Sequence, residues 1–494
     1  MNNLFLTFSD GAKFAVIARN LFNGNGFITD FSFWGSPFFG TSGVPYLVPQ
    51  IMNLFFKFVG VNDLAVVSFS FFFYLLLIIF VFLLGRKLFG GLVGVISALA
   101  VAANLNFIDY ATSGASETLF MFEIVLALYL LSFKKIWVNF LGLMTLGIMY
   151  FSRPQAFIFI AGILFFFVIL RWGFKKGILY FLGLGISGFL IDKFIIYPLS
   201  FKYPLTPIFM RGLQSILTYS SGMAVSDGLR GAVSSTLTLL DIFKKVFYNL
   251  YNFYKAIPEI MNPYLFALFV IGLFKKPSPF KISVLFMVGL TFLVTALTIP
   301  FYRYLHPIVP LIYILGIATL VQIISSFAEN MKLKDKSRYV VVISTILVLF
   351  FAVGQTLGVL FLDSRFERKL HNIDKAPIYV EMSYKLKEIT GKDDVILTNL
   401  DTWGSWYGER KTVWFPLEPE MIISKENEID AIYLTSYKID DDNYYMGEKW
   451  REMFNNPEEQ IILPNYKFAG EYEFKAEDNY EREVGRAILF KRIK

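Results

Sequence analysis

Long apolar runs separated by short polar turns fill most of the chain up to residue 361. Many of these runs are near the ~17–25 residues that an α-helix needs to cross the hydrocarbon core of a bilayer. The pattern predicts an α-helical polytopic membrane protein with about ten spans. The approximate limits of these spans are 63–84, 92–108, 117–133, 136–151, 155–171, 177–197, 261–275, 282–299, 307–326 and 339–361.

Two segments outside the spans are amphipathic. In SDGAKFAVIARNLFNGNGF, residues 9–27, apolar side chains recur on one helical face behind Asp10, and a Gly-Asn-Gly turn follows. In TLTLLDIFKKVFYNLYNFYKAI, residues 236–257, aromatic residues are mixed with lysines, which is typical of a helix lying along a membrane surface. The first segment belongs to an opening loop, residues 1–62, and the second to a long loop, residues 198–260.

The chain changes character after residue 361. Short apolar runs such as VILTNL and DAIYLTS alternate with charged stretches such as YMGEKWREMF, and the run GRAILFKRI follows near the end. This alternation predicts the strands and helices of a small soluble α/β domain. We therefore expect a membrane region over residues 1–361 and a C-terminal domain over residues 362–494.

Composition and charge agree with a membrane protein. Of the 494 residues, 55% are hydrophobic and only 17% are charged, against about 25% charged residues in typical soluble domains. The formal charge of +7 arises from Lys and Arg in alternate loops, which the positive-inside rule places in the cytoplasm. This bias argues against nucleic-acid binding. It also places the opening loop, the long loop and the C-terminal domain on the extracytoplasmic side of the cell membrane.

Acidic residues mark the external ends of the predicted helices. Asp10 heads the first amphipathic helix, where an aspartate either caps the helix or points into a site. Asp109 and Glu117 flank ATSGAS in the first short external turn. Glu117 falls inside the start of a span, where an ionisable group is costly and is usually retained for a reason.

Three cationic or titratable residues occupy otherwise uncharged external turns. Arg153 lies in YFSRPQ, Arg303 lies in PFYRYLHP, and His306 follows three residues later. An arginine here either extends to the membrane surface or binds phosphate through two parallel hydrogen bonds. The combination suits a reaction on a lipid-anchored phosphate, in which arginines hold the leaving group and a carboxylate deprotonates a hydroxyl.

Metal chemistry has few candidate ligands. The chain has no cysteine, and His306 and His371 are its two histidines. A thiolate site and a multi-histidine site are therefore excluded within one chain, and a divalent cation would need carboxylates. No metal ligand is assigned, no cofactor is certain, and a divalent cation stays possible.

The order of these motifs resembles the GT-C glycosyltransferases of the protein O-mannosyltransferase and aminoarabinose lipid A transferase group (glycosyltransferase family 39-like). DGAKFAVIARNLFNGNGF resembles the first external loop of that group, which has an acid, often Asp-Glu, then an aromatic residue, an Ala-Arg pair and a Gly-rich turn. Further segments follow in the family order. They are PFFGTSGVPYLVPQIMNLFFKFVGV, LLGRKLFGGLVGVISAL, NFIDYATSGASETLFMF, GIMYFSRPQAFIFIAG, RYLHPIVPLIYILGIATL and VILTNLDTWGSWYGERKTVWFP.

The resemblance implies transfer of a hexose or pentose, with inversion, from a polyprenyl-phosphate donor on the external face of the bilayer. The acceptor would be a protein, lipid or glycan hydroxyl. Asp10 occupies the position of the first-loop catalytic acid, and Glu117 that of the acid at the second external loop. Arg153 and Arg303 correspond to donor-phosphate ligands, and Asp109 and His306 are further candidates for substrate binding.

This chain departs from the family pattern at three points. The usual Asp-Glu pair is Asp10-Gly11 here, which weakens a metal site at this loop. Only MNNLFLTFS precedes Asp10, which is too short for the span expected there, and the nearest match to a Lys-Pro-Pro motif is Val44-Pro45. The alternatives are therefore a transferase that moves another group, a transporter or flippase of lipid-linked sugars, a membrane scaffold, and a truncated inactive relative.

Overall fold

The computed structural model describes residues 5–40, 45–153, 155–191, 193–194, 215–219, 221–232, 236–333, 335–350, 376–437, 446–477 and 482–493. Helices dominate this structure up to residue 350. They are α1 Ser9–Phe22, α2 Leu47–Val59, α3 Asp63–Phe89, α4 Gly91–Ala102, α5 Leu105–Ala111, α6 Glu117–Leu131, α7 Ile136–Ser152, α8 Ala156–Ala161, α9 Ile169–Trp172, α10 Phe174–Ile191, α11 Gly222–Leu229, α12 Leu239–Lys255, α13 Ile257–Ile260, α14 Pro263–Leu273, α15 Pro279–Leu297, α16 Val309–Asn330 and α17 Lys336–Val348.

Three helical segments within the described residues are long and apolar enough to cross a membrane: α3, α15 and the continuous segment Tyr302–Asn330. A fourth is added if α4 and α5 form one broken span, and α2, α7 and α14 are shorter apolar helices. These helices indicate a membrane protein, while the count of about ten spans stays a prediction. The ends of the predicted spans 177–197 and 339–361 lie partly outside the described residues.

Two predicted spans are interrupted. The span expected at 92–108 bends by 66° between α4 and α5, because the side chain of Asn104 accepts a hydrogen bond from Phe107 N–H and starts a new helix. The span expected at 155–171 contains a π-helical segment, Gly162–Val168, between α8 and α9. Both interruptions are local backbone features that apolar periodicity does not reveal.

A mixed sheet forms the C-terminal part of the described structure. Its strands are β1 Phe31–Phe33, β2 Val395–Thr398, β3 Lys411–Trp414, β4 Ala431–Thr435, β5 Tyr466–Glu477 and β6 Arg482–Arg492, with the helices α18 Ile378–Ile389, α19 Trp403–Trp406 and α20 Glu448–Asn455. The strand order is β1-β3-β2-β4-β6-β5. Neighbouring strands pair in parallel from β1 to β4, whereas β6 pairs antiparallel with both β4 and β5.

The opening loop supplies one edge of this sheet. Strand β1 pairs in parallel with β3, with Phe31 opposite Thr412 and Phe33 opposite Trp414. One hydrophobic cluster also contains buried residues from both ends of the chain, such as Phe14 of α1 and Leu386 of α18. The opening loop and the C-terminal region, residues 376–493, are therefore packed together. The division at residue 361 and the extracytoplasmic placement of this region stay predictions.

Candidate functional site

Asp10 lies in the first turn of α1 and does not cap it. The N-cap residue is Phe8, and no side-chain hydrogen bond caps the helix. The Asp10 carboxylate instead accepts a hydrogen bond from the Arg303 guanidinium, with an Oδ2 to Nη1 distance of 2.6 Å. The side chains are 35% and 28% exposed, respectively. Asp10 is thus part of a partly exposed ion pair that joins α1 to the short turn before α16.

The packing around Gly11 leaves no space for the glutamate that usually follows the first-loop aspartate in the GT-C pattern. A Cβ atom at Gly11 would clash with the carbonyl oxygen of Ser113. Gly114 lies opposite, with a φ of +74°, and a Cβ atom there would meet Val66. The N-terminal turn of α1 therefore packs directly on the backbone of the turn that precedes α6, and a glutamate at position 11 has no room.

A second ion pair lies in the interior. Glu117 is the first residue of α6, and its carboxylate lies 2.5 Å from the guanidinium of Arg153, which follows the last turn of α7. Their side chains are 1% and 8% exposed. Arg153 also donates a hydrogen bond to the Ser116 hydroxyl at 3.4 Å. A buried pair of this kind is costly to break because either partner alone would leave an unpaired charge.

Tyr304 connects the two ion pairs. The guanidinium carbon of Arg153 lies 5.7 Å from the centre of the Tyr304 ring, and that of Arg303 lies 5.3 Å from it. Burial raises the pKa of Asp10, but the charges of Arg303 and Lys13, the hydrogen bond from Arg303 and the charge of Arg153 bring this pKa below its ordinary value. The carboxylate therefore carries its negative charge at neutral pH.

His306 lies beside these arginines. Its Nδ1 atom is 2.5 Å from the hydroxyl of Tyr110 in α5. The imidazole is buried, and among the described residues none forms a hydrogen bond with Nε2. Sequence reasoning singled out His306 but missed Tyr110 and Tyr304. The position of Tyr304 between Arg303 and His306 in RYLH was the available signal, whereas Tyr110 contacts the site only through the fold.

Two further acids have different surroundings. Asp109 is half-buried on α5 next to Tyr110, and its role in substrate binding stays a prediction. Glu123 is buried one to two turns below Glu117 on α6 and accepts a hydrogen bond of 2.7 Å from Ser152. Ser152 directly precedes Arg153, so Glu123 supports the end of α7 from inside the bundle.

The carboxylates of this cluster do not fit a divalent cation. Asp10 and Glu117 each pair with an arginine, and a cation would have to displace a guanidinium from both. In the described part of the chain, no three acidic or histidine side chains lie together in a metal-binding arrangement.

A family model matches part of the chain. Residues 43–196 match the family described as dolichyl-phosphate-mannose-protein mannosyltransferase. This segment contains Asp109, Glu117 and Arg153, while Asp10 and Arg303 lie outside it. A comparison with curated protein sequences finds no match.

Solved structures with the same fold cover nearly the whole chain. ArnT from Cupriavidus metallidurans bound to undecaprenyl phosphate matches with a TM-score of 0.51 and 12% identity, over 98% of this chain and 94% of that one. The Archaeoglobus fulgidus oligosaccharyltransferase in complex with Zn and sulfate matches with a TM-score of 0.57 and 11% identity, over 98% and 70%. The oligosaccharyltransferase AglB from Archaeoglobus fulgidus, in complex with an inhibitory peptide and a dolichol-phosphate, matches with 0.53 and 12%, over 98% and 71%.

These matches confirm the resemblance to the GT-C glycosyltransferases at the level of the fold. The match to the family model agrees with it over residues 43–196. The cluster of Asp10, Glu117, Arg153, Arg303 and His306 combines carboxylates, guanidinium groups and an imidazole where the helices α6, α7 and α16 begin or end. Such a cluster can bind an anion through the arginines and accept a proton through a carboxylate.

Proposed function

On the premise of this GT-C fold, we propose that the protein transfers a sugar from a polyprenyl-phosphate donor to a hydroxyl acceptor, with inversion, at the external face of the cell membrane. The observation that carries the proposal is the meeting of two carboxylate–arginine pairs around Tyr304 at one end of the helices. The polyprenyl tail would lie among the apolar helices, while its phosphate meets this polar cluster.

Arg303 is the main phosphate ligand in this proposal. Its guanidinium is 28% exposed, so an incoming phosphate can reach it, whereas Arg153 is nearly enclosed by Glu117 and Ser116. Arg153 would add a fixed positive charge behind the phosphate. Two of the three named structures support a lipid phosphate as ligand, because they hold undecaprenyl phosphate and dolichol-phosphate.

His306 would contribute a neutral donor. If the Tyr110 hydroxyl donates a hydrogen bond to Nδ1, the single N–H proton of the neutral imidazole lies on Nε2. No described residue accepts a hydrogen bond from this buried N–H group, so a phosphate oxygen that enters the site can accept it. Tyr110 thus sets the tautomer of His306. This arrangement adds a hydrogen bond without adding a third full positive charge.

The chemical step needs one base and one leaving group. The acceptor hydroxyl oxygen attacks the anomeric carbon of the sugar while the bond between that carbon and the phosphate oxygen breaks. The electron pair of the broken bond stays on the polyprenyl phosphate, where Arg303 and Arg153 stabilise the added negative charge. Asp10 accepts the hydroxyl proton, and attack from the face opposite the phosphate inverts the anomeric configuration.

Donor binding would also activate Asp10. In the free protein, Arg303 stabilises the ionised carboxylate and keeps it a weak base. A phosphate that draws Arg303 away removes this stabilisation, while the burial that raises the pKa of Asp10 remains. The carboxylate thus becomes a stronger base when the donor is bound. Glu117 would keep Arg153 oriented toward the phosphate during the same step.

The placement of the charges argues against a transporter or flippase. A transporter of lipid-linked sugars needs ionisable groups near the middle of the membrane that both sides can reach. Here Asp10, Glu117, Arg153 and Arg303 lie at helix ends and contact one another in pairs. An assay is needed to identify the sugar, which is a hexose or a pentose. The same assay addresses the acceptor, which is a protein, lipid or glycan.

The test is a donor screen. The full chain in nanodiscs is incubated with undecaprenyl- and dolichyl-phosphate hexoses and pentoses and with an envelope extract from its own organism. Mass spectrometry then follows loss of the sugar from each lipid. We expect consumption of one donor class and release of polyprenyl phosphate. Movement of an intact sugar-lipid between leaflets without cleavage would support the flippase instead.

A further inference from the structure

The C-terminal region contacts the helix that carries Asp10 at both ends. Near the N-terminus of α1, the Thr402 hydroxyl donates a hydrogen bond of 2.9 Å to the carbonyl oxygen of Ser9, the residue directly before Asp10. Near the other end, the Arg19 guanidinium donates to the carbonyl oxygens of Ser405 and Trp406 at 2.8 and 3.0 Å. All of these C-terminal partners belong to one short segment, residues 402–407.

The chain just before α1 is fixed by the same region. The backbone N–H of Leu6 donates to the Tyr407 hydroxyl at 2.8 Å, and the Tyr379 hydroxyl donates to the Leu6 carbonyl at 2.7 Å. Leu6 is fully buried, and its two backbone groups find partners 401 and 373 positions away in sequence. Such buried polar contacts define one position for the backbone rather than several.

Segment 402–407 is anchored to the membrane helices as well. The indole N–H of Trp406 donates to the Asp63 carboxylate at 2.6 Å, and the Tyr407 hydroxyl donates to its other oxygen at 2.9 Å. Asp63 is the first residue of α3. Burial raises the pKa of the Tyr407 hydroxyl well above its ordinary value, so Tyr407 keeps the proton that it donates. The segment therefore bridges α1 and α3.

The packing of Gly11 on the turn before α6 also helps to fix the N-terminal turn of α1, but no side-chain cap does. Its N-cap residue, Phe8, provides no side-chain hydrogen bond. The ion pair with Arg303 cannot serve this purpose through the reaction, because the proposed donor phosphate competes for Arg303. A displacement of about 1 Å at a reacting group can cost roughly a hundredfold in rate. The position of Asp10 during transfer thus depends also on hydrogen bonds from the C-terminal region.

We propose that Thr402 and Tyr407 are positioning residues, which hold α1 so that the Asp10 carboxylate faces the acceptor hydroxyl after the donor has engaged Arg303. The C-terminal region then contributes to the transferase site by positioning the helix that carries Asp10. This inference rests on the proposed function of Asp10. The sequence motif DTWGSWYGER, residues 401–410, acquires a role that composition alone did not assign.

The test uses isosteric variants of the full chain in nanodiscs. Thr402→Val and Tyr407→Phe each remove one hydroxyl that contacts the backbone of residues 6–9. Thr390→Val and Tyr433→Phe are matched controls, because their buried hydroxyls bond to Leu386 and Met382 within the C-terminal region. Activity is measured with the polyprenyl-phosphate sugar that the wild-type chain consumes, and hydrogen exchange is followed in residues 5–22.

We expect Thr402→Val and Tyr407→Phe to lower kcat roughly tenfold or more with the donor KM unchanged within about twofold, since misplacement affects the step and not donor binding. Thr402→Ser should restore kcat, and the two controls should stay near wild type. Hydrogen exchange in residues 5–22 should become faster in the two test variants alone.

The two proposals fail in different ways. An active wild-type chain whose kcat is unchanged in Thr402→Val and Tyr407→Phe overturns the positioning role. Equal losses in the test and control variants also overturn it, because they would reflect stability alone. A wild-type chain that consumes no donor overturns the proposed function instead. In that case, unchanged hydrogen exchange of residues 5–22 in Thr402→Val and Tyr407→Phe would also show that these hydroxyls do not fix the position of α1.

Discussion

Replacing Arg303 with glutamine tests the link between phosphate binding and the base. The Arg303 guanidinium contacts the Asp10 carboxylate at 2.6 Å and is 28% exposed, so a phosphate can reach the same group that stabilises the carboxylate. Arg303→Gln keeps a side chain that can donate hydrogen bonds but removes the charge. Arg303→Lys keeps the charge but loses the two-point geometry of the guanidinium.

The size of the effect follows from the role of the guanidinium. Removing one preorganised donor from developing negative charge costs about 10²–10³ in kcat in well-studied enzymes. Because Arg303 is partly exposed and Arg153 remains, we expect the lower end of that range, roughly a hundredfold, for Arg303→Gln. Arg303→Lys should recover about tenfold of the loss, since a point charge still attracts phosphate.

The pH dependence of kcat/KM tests the same coupling independently, through the direction in which its acid limb moves. Asp10 must be ionised to act as base, so kcat/KM falls as the pH decreases through the pKa of the free protein. In the wild type this pKa lies below its ordinary value of 3.8, because the arginine and lysine charges outweigh burial. Without Arg303 the largest lowering cause is gone and burial remains, so the acid limb of kcat/KM should move to higher pH.

The assay is donor consumption measured by mass spectrometry in nanodiscs between pH 4 and 8, where the wild type should show no acid limb because the pKa of its Asp10 lies below 3.8. Thermal unfolding of each variant serves as the control for folding. A kcat/KM for Arg303→Gln within about threefold of wild type would refute the phosphate role. A reduced rate for Arg303→Gln without an acid limb in this pH range would refute the electrostatic coupling between Arg303 and Asp10.

Two further predictions concern stability. Gly11→Ala should destabilise the protein by about 1–3 kcal/mol, because the added Cβ would clash with the Ser113 carbonyl. Gly183→Ala is the control and should not destabilise the protein, because the space around its Cβ is open. Thermal unfolding compares the stability of the two variants. Glu117→Gln should cost about 3–5 kcal/mol because it leaves Arg153 buried without its partner, and the double variant Glu117→Gln/Arg153→Met should recover part of that loss. A double variant less stable than Glu117→Gln would contradict this second explanation.

The sequence indicated the residues of the candidate site one by one. A single acid at the head of an amphipathic stripe indicated Asp10, and charges on turns between apolar runs indicated Glu117, Arg153 and Arg303. These signals come from the cost of charge in an apolar environment, which is visible residue by residue. Their meeting as two pairs is a property of the fold, because Asp10 and Arg303 lie 293 positions apart.

The long-range strand pairing and the local breaks in the helices could not be predicted from the sequence. Strand β1 is three residues long and pairs with β3 almost 400 positions later, and no periodicity in FSF indicates such a partner. The bend at Asn104 and the π-helical segment Gly162–Val168 interrupt runs whose composition is uniformly apolar. The hydrogen bond between Thr402 and Ser9 likewise depends on tertiary packing alone.

The central claim is that Asp10 is the base of sugar transfer, and Asp10→Asn tests it most directly. Asparagine keeps the size of the side chain and can still contact Arg303, but it cannot take up the proton. With the donor identified by the screen, we expect single-turnover sugar transfer to fall by about 10²–10⁴-fold while donor binding is retained. Transfer by Asp10→Asn within about threefold of wild type, with Glu117→Gln inactive, would place the base elsewhere.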